Sequence, residues 1–424
     1  MKKLIVFVLL IGMIFAAESA FAGGGQSGGG AKPITLRVFY GFADFEAPLT
    51  QLAKTYKERN PNVTVELISG ADAQILAAMV QQRDYPNIAL IPDGFDTIYG
   101  RQGLLLDLSN RPIASRATAD NLATHWVDGK IYSISTGAGV YGIYYNKALF
   151  RQAGIDREPA TLSELKAAVA KLKAAGITPF VGGYKDSWPQ GQYFRWGSAG
   201  AFTKNAPITE DIAARKRKFN DPAVISMFNG TFELIDLIKN NMTADSLLMT
   251  SGEAEVKFGQ GVAAMYMLGD WSMAVMESAN PNAAKREVTG FMPLLTSDNA
   301  VDNRYLVFFN QGHGIFKDSQ NVDEAIKFYD FMFSKEGSEV ICRATGNPGP
   351  FTDSDLSWAN EFKQDMMAQI TKPNRTWNDM EFLKLPPIFA GLDSALDGYM
   401  KGAYGKNQVF DELQKAVETA LAAQ

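Results

Sequence analysis

The sequence predicts an α/β protein of two domains, and three observations lead to this prediction. The chain has 424 residues, more than one compact core usually contains. Residues 35–91 alternate strand, helix, strand, helix, strand with short connections, as in a mostly parallel sheet covered by helices. Residues 140–145 form a β-branched and aromatic run entered through three small residues, 137–139. Such a run is typical of a chain that passes between two lobes, and equally of an ordinary core strand.

The individual elements follow from local patterns. β-branched and aromatic runs predict strands over residues 35–40, 63–68, 87–91, 140–145, 178–183, 263–268, 290–295 and 305–309. Apolar residues at helical spacing predict helices over residues 46–59, 72–83, 161–175, 221–241, 322–335 and 409–422. The helix over 161–175 has the strongest start signal, because Thr161 and Glu164 have the spacing of a capping box.

The first 22 residues predict a secretory signal peptide. Lys2 and Lys3 precede an apolar run over residues 4–17, and Ala20 and Ala22 are small residues of the kind that a signal peptidase reads. The run is too short for a membrane span. Residues 23–33 are rich in glycine and do not follow a strand, so they predict a flexible leader and not a phosphate-binding loop.

The composition disfavours several classes of function. Acidic residues number 46 against 41 basic residues, and no long basic block occurs, so a nucleic-acid partner is not expected. Cys342 is the single cysteine, which leaves no disulfide framework and no thiol at the cleavage site to carry a lipid. With His125 and His313 as the two histidines, a histidine metal site or a Ser-His-Asp triad has little material, and no cofactor is expected.

Polar and aromatic residues follow the first three predicted strands. They are Tyr40, Phe42 and Asp44, then Asp72, then Asp93. Ligands of open α/β sheets bind beyond the carboxyl ends of the strands, so these residues predict a shared polar rim. A single aspartate in a turn often only caps the local backbone, and that alternative stays open for each position.

Two later segments have the same character. Tyr184 and Trp188 lie in an aromatic segment after the strand predicted over 178–183, and Pro189 restricts the backbone beside Trp188. Some of these side chains could simply cover a second core. The strand predicted over 263–268 ends in Gly269, Asp270 and Trp271. Carboxylates accept paired hydrogen bonds from neighbouring sugar hydroxyls, and indole rings match the C–H face of a pyranose, so the set predicts a neutral polyol in a cleft between domains.

Several stretches, in this order and spacing, resemble a known family. They are Tyr144-Tyr-Asn-Lys-Ala-Leu-Phe-Arg-Gln-Ala-Gly-Ile155, Thr161-Leu-Ser-Glu-Leu165, Phe258-Gly-Gln-Gly-Val-Ala-Ala-Met-Tyr-Met-Leu-Gly-Asp-Trp271, Gly312-His-Gly-Ile-Phe316, Ala325-Ile-Lys-Phe-Tyr-Asp-Phe331 and Thr345-Gly346. From about residue 35 to its end, the chain resembles the extracellular solute-binding proteins of ABC importers. The resemblance is to family 1, the maltose-binding-protein-like proteins that bind sugars and oligosaccharides.

The resemblance implies a two-lobed periplasmic-binding-protein fold of type II, whose lobes close on the ligand about a hinge. The implied lobes are residues 34–138 with 310–345 and residues 139–309 with 346–424. The resemblance also implies that Trp271 stacks on the sugar beside Asp270. Where some relatives have an acidic contact this chain has Gly139, so the backbone or Thr136 would supply it. Gly312 and His313, near the second implied crossing, complete the predicted ligand-binding residues.

The family also implies how the protein acts. It is expected to be a monomer in the periplasm, to deliver a carbohydrate to the transmembrane subunits of an ABC permease, and to have no enzymatic activity. Two alternatives stay open at this point. The same fold binds a polyamine, an anion or another small polar solute, or the chain is a secreted glycosidase. A glycosidase needs two carboxyl groups about 5–9.5 Å apart, and no local motif indicates such a pair.

Overall fold

The computed structural model describes residues 32–70, 73–92, 94–370, 375–377 and 386–422, and these form two lobes, each built on its own five-stranded sheet. The predicted signal peptide, most of the predicted leader, Asp72 and Asp93 lie outside the described residues. We call the two units the first lobe, around the sheet that contains residues 34–40, and the second lobe, around the sheet that contains residues 138–146.

The first lobe is formed by the beginning of the chain. Its elements are β1 (Ile34–Tyr40), α1 (Glu46–Arg59), β2 (Val63–Ser69), α2 (Ala73–Gln81), β3 (Ile88–Leu90), α3 (Phe95–Arg101), α4 (Pro112–Arg116), α5 (Ala119–Thr124), β4 (Trp126–Val127), β5 (Lys130–Ile131) and β6 (Ile134–Ser135). Helix α1 has the predicted bounds. Leu49, Leu52 and Tyr56 are buried on one face of α1, because they recur at helical spacing.

The chain then enters the second lobe. Its elements there are β7 (Ala138–Asn146), α6 (Lys147–Gln152), α7 (Leu162–Ala174), α8 (Trp188–Arg195), α9 (Ala199–Lys204), α10 (Ala206–Ala213), α11 (Pro222–Met227), α12 (Asn229–Lys239), α13 (Ser251–Gly259), β8 (Met265–Gly269), α14 (Met273–Ala279), β9 (Thr289–Met292) and β10 (Tyr305–Phe309). Strand β7 is buried along almost its whole length. A run of apolar residues without polar alternation predicts such burial, since both faces of the strand are covered.

The chain returns once to each lobe. In the first lobe it forms β11 (Gly312–Ile315), α15 (Val322–Met332) and α16 (Lys335–Thr345), and in the second it forms α17 (Glu361–Ile370), β12 (Arg375–Trp377), α18 (Pro386–Met400) and α19 (Lys406–Ala422). One long helix was expected over 322–335. Instead α15 ends at Met332 and Ser334 begins a new helix, because its hydroxyl accepts a hydrogen bond from the Gly337 amide at 3.1 Å.

The two sheets differ in strand direction, which corrects one part of the expected fold. The first sheet has the order β2-β1-β3-β11-β6, with β1 parallel to β2 and β3, and β11 antiparallel to both its neighbours. The second has the order β12-β10-β7-β8, with β9 also paired to β7. Only its β10–β12 pair is parallel among the described strands. The α/β class is confirmed, but the second sheet is mainly antiparallel.

Two further local predictions need correction. Residues 178–183 do not form a strand, since only Phe180 pairs there, through isolated bridges to Met242 and Met265. Thr161 caps α7, and its hydroxyl accepts from the Glu164 amide at 3.2 Å. Glu164, however, accepts from the amide of Ala160 at 2.8 Å, one residue earlier than a capping box requires.

The chain crossings between the lobes lie side by side. The first leads from β6 to β7 and the second from β10 to β11, and they are joined where the Asn310 amide donates to the Gly137 carbonyl at 2.9 Å. Residues after α16 join them, because the Ala138 amide donates to the Pro348 carbonyl at 3.0 Å. Phe351 still packs in the core of the first lobe. The division of the chain into lobes, residue by residue, stays a prediction.

No helix in the described part of the chain is both long enough and apolar enough to cross a membrane.

Candidate ligand-binding cleft

A cleft lies between the lobes, beside the crossings. It is lined by Ile91, Pro92, Gly94, Asp96, Thr124 and His125 of the first lobe, by Arg195, Trp196, Val307, Phe308, Phe309 and Phe389 of the second, and by Asn310, Gln311 and Gly312. Asn310 and Gln311 lie in the second crossing, between β10 and β11, so any change in the angle between the lobes alters the shape of the cleft.

Trp196 and Phe308 line the cleft and belong to a group of rings that we call the aromatic wall, formed by Tyr141, Trp188, Trp196, Trp271 and Phe308. The Trp271 ring is the centre of the group. Its centroid lies 5.3 Å from that of Phe308, 5.9 Å from Trp196, 6.2 Å from Tyr141 and 6.4 Å from Trp188. Phe308 stacks on Trp196 at 5.2 Å and 11°. These contacts hold the rings at fixed angles, so the wall is preorganised to receive an apolar ligand face.

The aromatic wall forms because of the backbone beneath it. Trp271 follows β8 directly and lies over Gly269, where a Cβ atom would overlap the indole ring. Trp188 begins α8 and Trp196 follows its last residue. Trp188 and Trp271 are half-buried, and Trp196 and Phe308 are 9% and 8% exposed. Trp188 and Trp271, both predicted from the sequence, are therefore brought together, and each keeps exposed ring surface.

The first lobe contributes a polar network centred on His125. His125 Nδ1 lies 3.0 Å from Asp96 Oδ2 and 2.9 Å from Ser133 Oγ, and Nε2 lies 2.6 Å from Ser135 Oγ. The hydroxyl of Ser135 donates to the Asn310 carbonyl, which belongs to the second crossing. The network therefore connects the cleft lining with the crossing through hydrogen bonds.

The order Asp96, His125, Ser135 is that of a nucleophilic triad, which the sequence analysis did not anticipate. Ser135 does not have the environment of a nucleophile. It is fully buried, and its proton points to the Asn310 carbonyl and away from the imidazole. A serine nucleophile must donate to the histidine and reach a substrate. The arrangement is a structural hydrogen-bond network.

A buried ion pair lies behind the aromatic wall. Lys363 Nζ, on α17, lies 2.8 Å from Asp270 Oδ2 and 3.3 Å from the side-chain oxygen of Asn347. The Asp270 and Lys363 side chains are 0% and 7% exposed. Within the described residues, Asp270 Oδ1 has no hydrogen-bond partner, and it faces Gly139, where a Cβ atom would lie 2.5 Å from it. The predicted ligand carboxylate thus neutralises a lysine, and Gly139 provides the space for it.

Two predicted residues at the end of β1 reach solvent. Phe42 is 47% exposed. Asp44 is also exposed, yet desolvation by the surrounding protein raises the pKa of its carboxyl. Both side chains are available to a ligand.

Tyr184 and His313 point into the protein core. Tyr184 is fully buried and its hydroxyl lies 2.9 Å from that of Tyr193. His313 is fully buried between Phe45 and Phe333, at ring distances of 5.5 Å and 5.9 Å. This burial lowers the pKa of His313 to about 3. Because β11 alternates its side chains, Gly312 faces the cleft while His313 faces the core.

The remaining predicted residues are supporting or undescribed. Tyr40 and Thr136 are 4% and 1% exposed, and Tyr40 packs in the first core. The Thr136 hydroxyl has no hydrogen-bond partner among residues that the structure describes. Asp72 and Asp93 lie outside the described residues. In the same part of the chain, no group of three His, Cys, Asp or Glu side chains could hold a metal ion.

Of the fifteen cleft-lining residues in the described part of the chain, Gly312 was predicted and fourteen were not, among them Arg195, Trp196, Phe308 and Phe389. A signal for Arg195 was present, because Trp188, Gln192 and Arg195 have the spacing i, i+4, i+7 and share one helical face. Trp196 lies in the aromatic segment that was singled out. Phe308 lies in an apolar run, so its sequence neighbours indicate an ordinary buried strand residue. Phe389 gave no sequence signal, since its contact with Arg195 joins α8 to the distant α18.

Comparison with known proteins agrees with this architecture. A family model described as "Bacterial extracellular solute-binding protein" matches residues 42–339. The chain is 24% identical over 326 residues to the "Multiple sugar-binding protein" of Streptococcus mutans, covering 74% of each chain.

Two solved structures show the same fold. A chitin oligosaccharide binding protein superposes with a TM-score of 0.76 at 22% identity, covering 93% of this chain and 100% of the other. RafE of Streptococcus pneumoniae, in its complex with raffinose, superposes with a TM-score of 0.75 at 18% identity, covering 91% and 99%. The two lobes, the crossings and the cleft between them are thus features of a shared fold. The chain belongs to the family of bacterial extracellular solute-binding proteins.

Proposed function

We propose that this protein is the substrate-binding component of an ABC transporter and that it captures a carbohydrate between its lobes. One observation carries the proposal: Trp196 and Phe308 of the aromatic wall line the same interlobe cleft as the polar groups of Asp96, His125 and Asn310. A sugar ring has an apolar C–H face and an edge of hydroxyls, and this cleft offers a partner to each. The sugar names of the relatives agree with this proposal.

Trp271 and Trp188 are the residues proposed to stack on the ligand, because both keep exposed ring surface at the centre and edge of the aromatic wall. Phe42 and Asp44 are proposed contacts from the first lobe, where lobe closure would bring them toward the ligand. Asp72, Asp93 and Gly312 remain proposed ligand contacts. Asp270, Tyr40, Thr136, Gly139, Tyr184 and His313 are proposed to support the site from behind.

Closure about the crossings is the proposed motion. Gly137 and Asn310 pack so closely that a Cβ atom on Gly137 would lie 2.6 Å from the Asn310 side-chain nitrogen. The crossings therefore form a tight hydrogen-bonded bundle about which the lobes can rotate as units. The closed, loaded form would then dock on the permease. We further propose export by a cleaved signal peptide into the periplasm and action as a monomer.

The cleft is proposed to bind its ligand without turnover. Asp96 contacts His125 and Asp270 is paired with Lys363, so neither carboxylate has the free environment that a glycosidase acid or nucleophile requires. Incubation with oligosaccharides followed by product analysis checks this point. Released shorter sugars would contradict it.

A thermal-shift screen against mono- and oligosaccharides tests the proposed function. Raffinose and chitin oligosaccharides are the first ligands to include. A ligand that binds only the folded state raises the melting temperature, and at 100 times its Kd it stabilises the protein by about 2.7 kcal/mol. Binding is then confirmed by titration calorimetry. A screen in which polyamines raise the melting temperature and no carbohydrate does would overturn the proposal.

A further inference from the structure

Arg195 lies at the cleft with an orientation fixed by its neighbours. It is the last residue of α8 and is 8% exposed. The carbon centre of its guanidinium lies 4.2 Å from the Phe389 ring centroid and 5.8 Å from that of Trp196. A guanidinium held on an aromatic face keeps its N–H groups directed along the plane, away from the ring.

The charge of Arg195 has no ion-pair partner in the part of the chain that the structure describes, and its Nε has no hydrogen-bond partner there. Asp393 interacts electrostatically with Arg195 without forming an ion pair in the described part of the chain, and burial raises the pKa of Asp393 to about 6. Lys363, the other buried cation of the cleft region, is neutralised by Asp270 at 2.8 Å. A buried charge without an ion-pair partner at contact distance is costly, so a negative group of a ligand is favoured beside Arg195.

The geometry points to a carboxylate as that partner. We propose that Arg195 is the anion anchor of the cleft and that the carbohydrate bound there is acidic, carrying a carboxylate as in a uronic acid. A carboxylate matches the forked donors of a guanidinium in a paired hydrogen bond. The single positive charge balances one carboxylate, whereas a sugar phosphate would bring about −2. The aromatic wall beside Arg195 stacks on the sugar ring, and the same charge disfavours a polyamine.

This inference depends on the proposed function, and calorimetry with matched ligands separates the two. Galacturonic acid oligomers are compared with neutral galactose oligomers of equal length, and galactose 6-phosphate with galacturonic acid. The acidic oligomer is expected to bind at least tenfold more tightly than the neutral one, with an affinity that falls as salt is added. Equal affinity for both, or preference for the phosphate, overturns the acidic-sugar proposal and leaves the carbohydrate function standing. Absence of binding by every carbohydrate overturns both.

Variants assign the effect to the guanidinium. Arg195→Gln is expected to weaken binding of the acidic oligomer at least tenfold and to change neutral binding less than twofold. Arg195→Lys keeps the charge but loses the forked N–H donors. Its affinity for the acidic oligomer is expected to lie between those of the wild type and Arg195→Gln. Arg286→Gln is the matched control, because Arg286 is half exposed and pairs with Asp365 outside the cleft lining. Equal weakening of acidic and neutral ligands by Arg195→Gln would show a general hydroxyl donor and overturn the proposal.

Discussion

Removal of the Lys363 ammonium should destabilise the protein strongly, because Asp270 would keep a buried charge without a partner. The perturbation is Lys363→Met, which retains the length of the side chain. In the structure the two charged groups are 2.8 Å apart, and their side chains are 7% and 0% exposed. Breaking a buried pair by deleting one partner costs about 3–5 kcal/mol. The double variant Asp270→Asn with Lys363→Met removes both charges and should recover most of this loss.

Urea unfolding at pH 7, followed by tryptophan fluorescence, measures the free energy of unfolding of the wild type, both single variants and the double variant. The coupling energy from this cycle isolates the ion pair. A loss below about 1 kcal/mol for Lys363→Met, the range of exposed pairs, would refute the reasoning. The same variants address ligand binding. Asp270→Asn should lower stability more than carbohydrate affinity. Unchanged stability with lost affinity would instead make Asp270 a ligand contact, as the sequence predicts.

Three further changes have defined outcomes. Trp271→Ala should weaken carbohydrate binding by about 1–3 kcal/mol, because one stacked ring is lost. The control variant Trp126→Ala removes an exposed tryptophan and should leave the Kd measured by calorimetry within twofold. Equal effects of the two variants would count against a role of the aromatic wall in binding. His313 has a pKa of about 3 in the fold and about 6.5 when unfolded, so the unfolded chain gains the proton first as pH falls below 6.5. The wild type should therefore lose about 2 kcal/mol of unfolding free energy between pH 7 and pH 5 because of His313, and His313→Leu should not show this loss. Urea unfolding measures the difference. The same pH dependence in both proteins would contradict the prediction. Burial raises the pKa of Glu255 to about 7, so folding opposes its ionisation as pH rises above its unfolded pKa of about 4.3. Glu255→Gln should then raise the free energy of unfolding by about 3 kcal/mol at pH 8 and by almost nothing at pH 4. An equal increase at both pH values would exclude the ionisation of Glu255 as the cause.

Local patterns predicted the fold well where one strand or helix has one dominant face. Helix α1 and strand β10 have the predicted bounds, because turn residues or a clear periodicity delimit them. The sequence did not reveal the antiparallel pairing of the second sheet. Strand direction there depends on contacts between β7, β8, β9 and β10, which lie far apart in the chain. Residues 178–183 have strand composition, but pairing reaches only Phe180.

The aromatic and the polar residues of the predicted site differ in how well the sequence located them. Both tryptophans were predicted from strand ends. Trp271 does come after β8, whereas Trp188 begins α8 because residues 178–183 form no strand. The sequence did not predict toward which side of its element a polar side chain points. Gly312 and His313 are neighbours on one strand, and the one-residue alternation sends the imidazole into the core. Tyr184, which lies in no strand, is buried in the core, and its hydroxyl contacts that of Tyr193.

Charge pairing explains why the sequence favoured Asp270 over Arg195 as a ligand residue. The sequence shows which residues are charged but not which of them are paired in the fold. A charged side chain is available to a ligand only when folding leaves it without an ion-pair partner. Asp270 meets Lys363, 93 residues away in the chain, and α17 brings that lysine to the back of the aromatic wall. Arg195 meets Phe389, whose ring orients it without neutralising it. The residue that looked like a ligand carboxylate is thus neutralised inside the protein, and the cation that drew no notice keeps its charge at the cleft, where an acidic ligand can reach it.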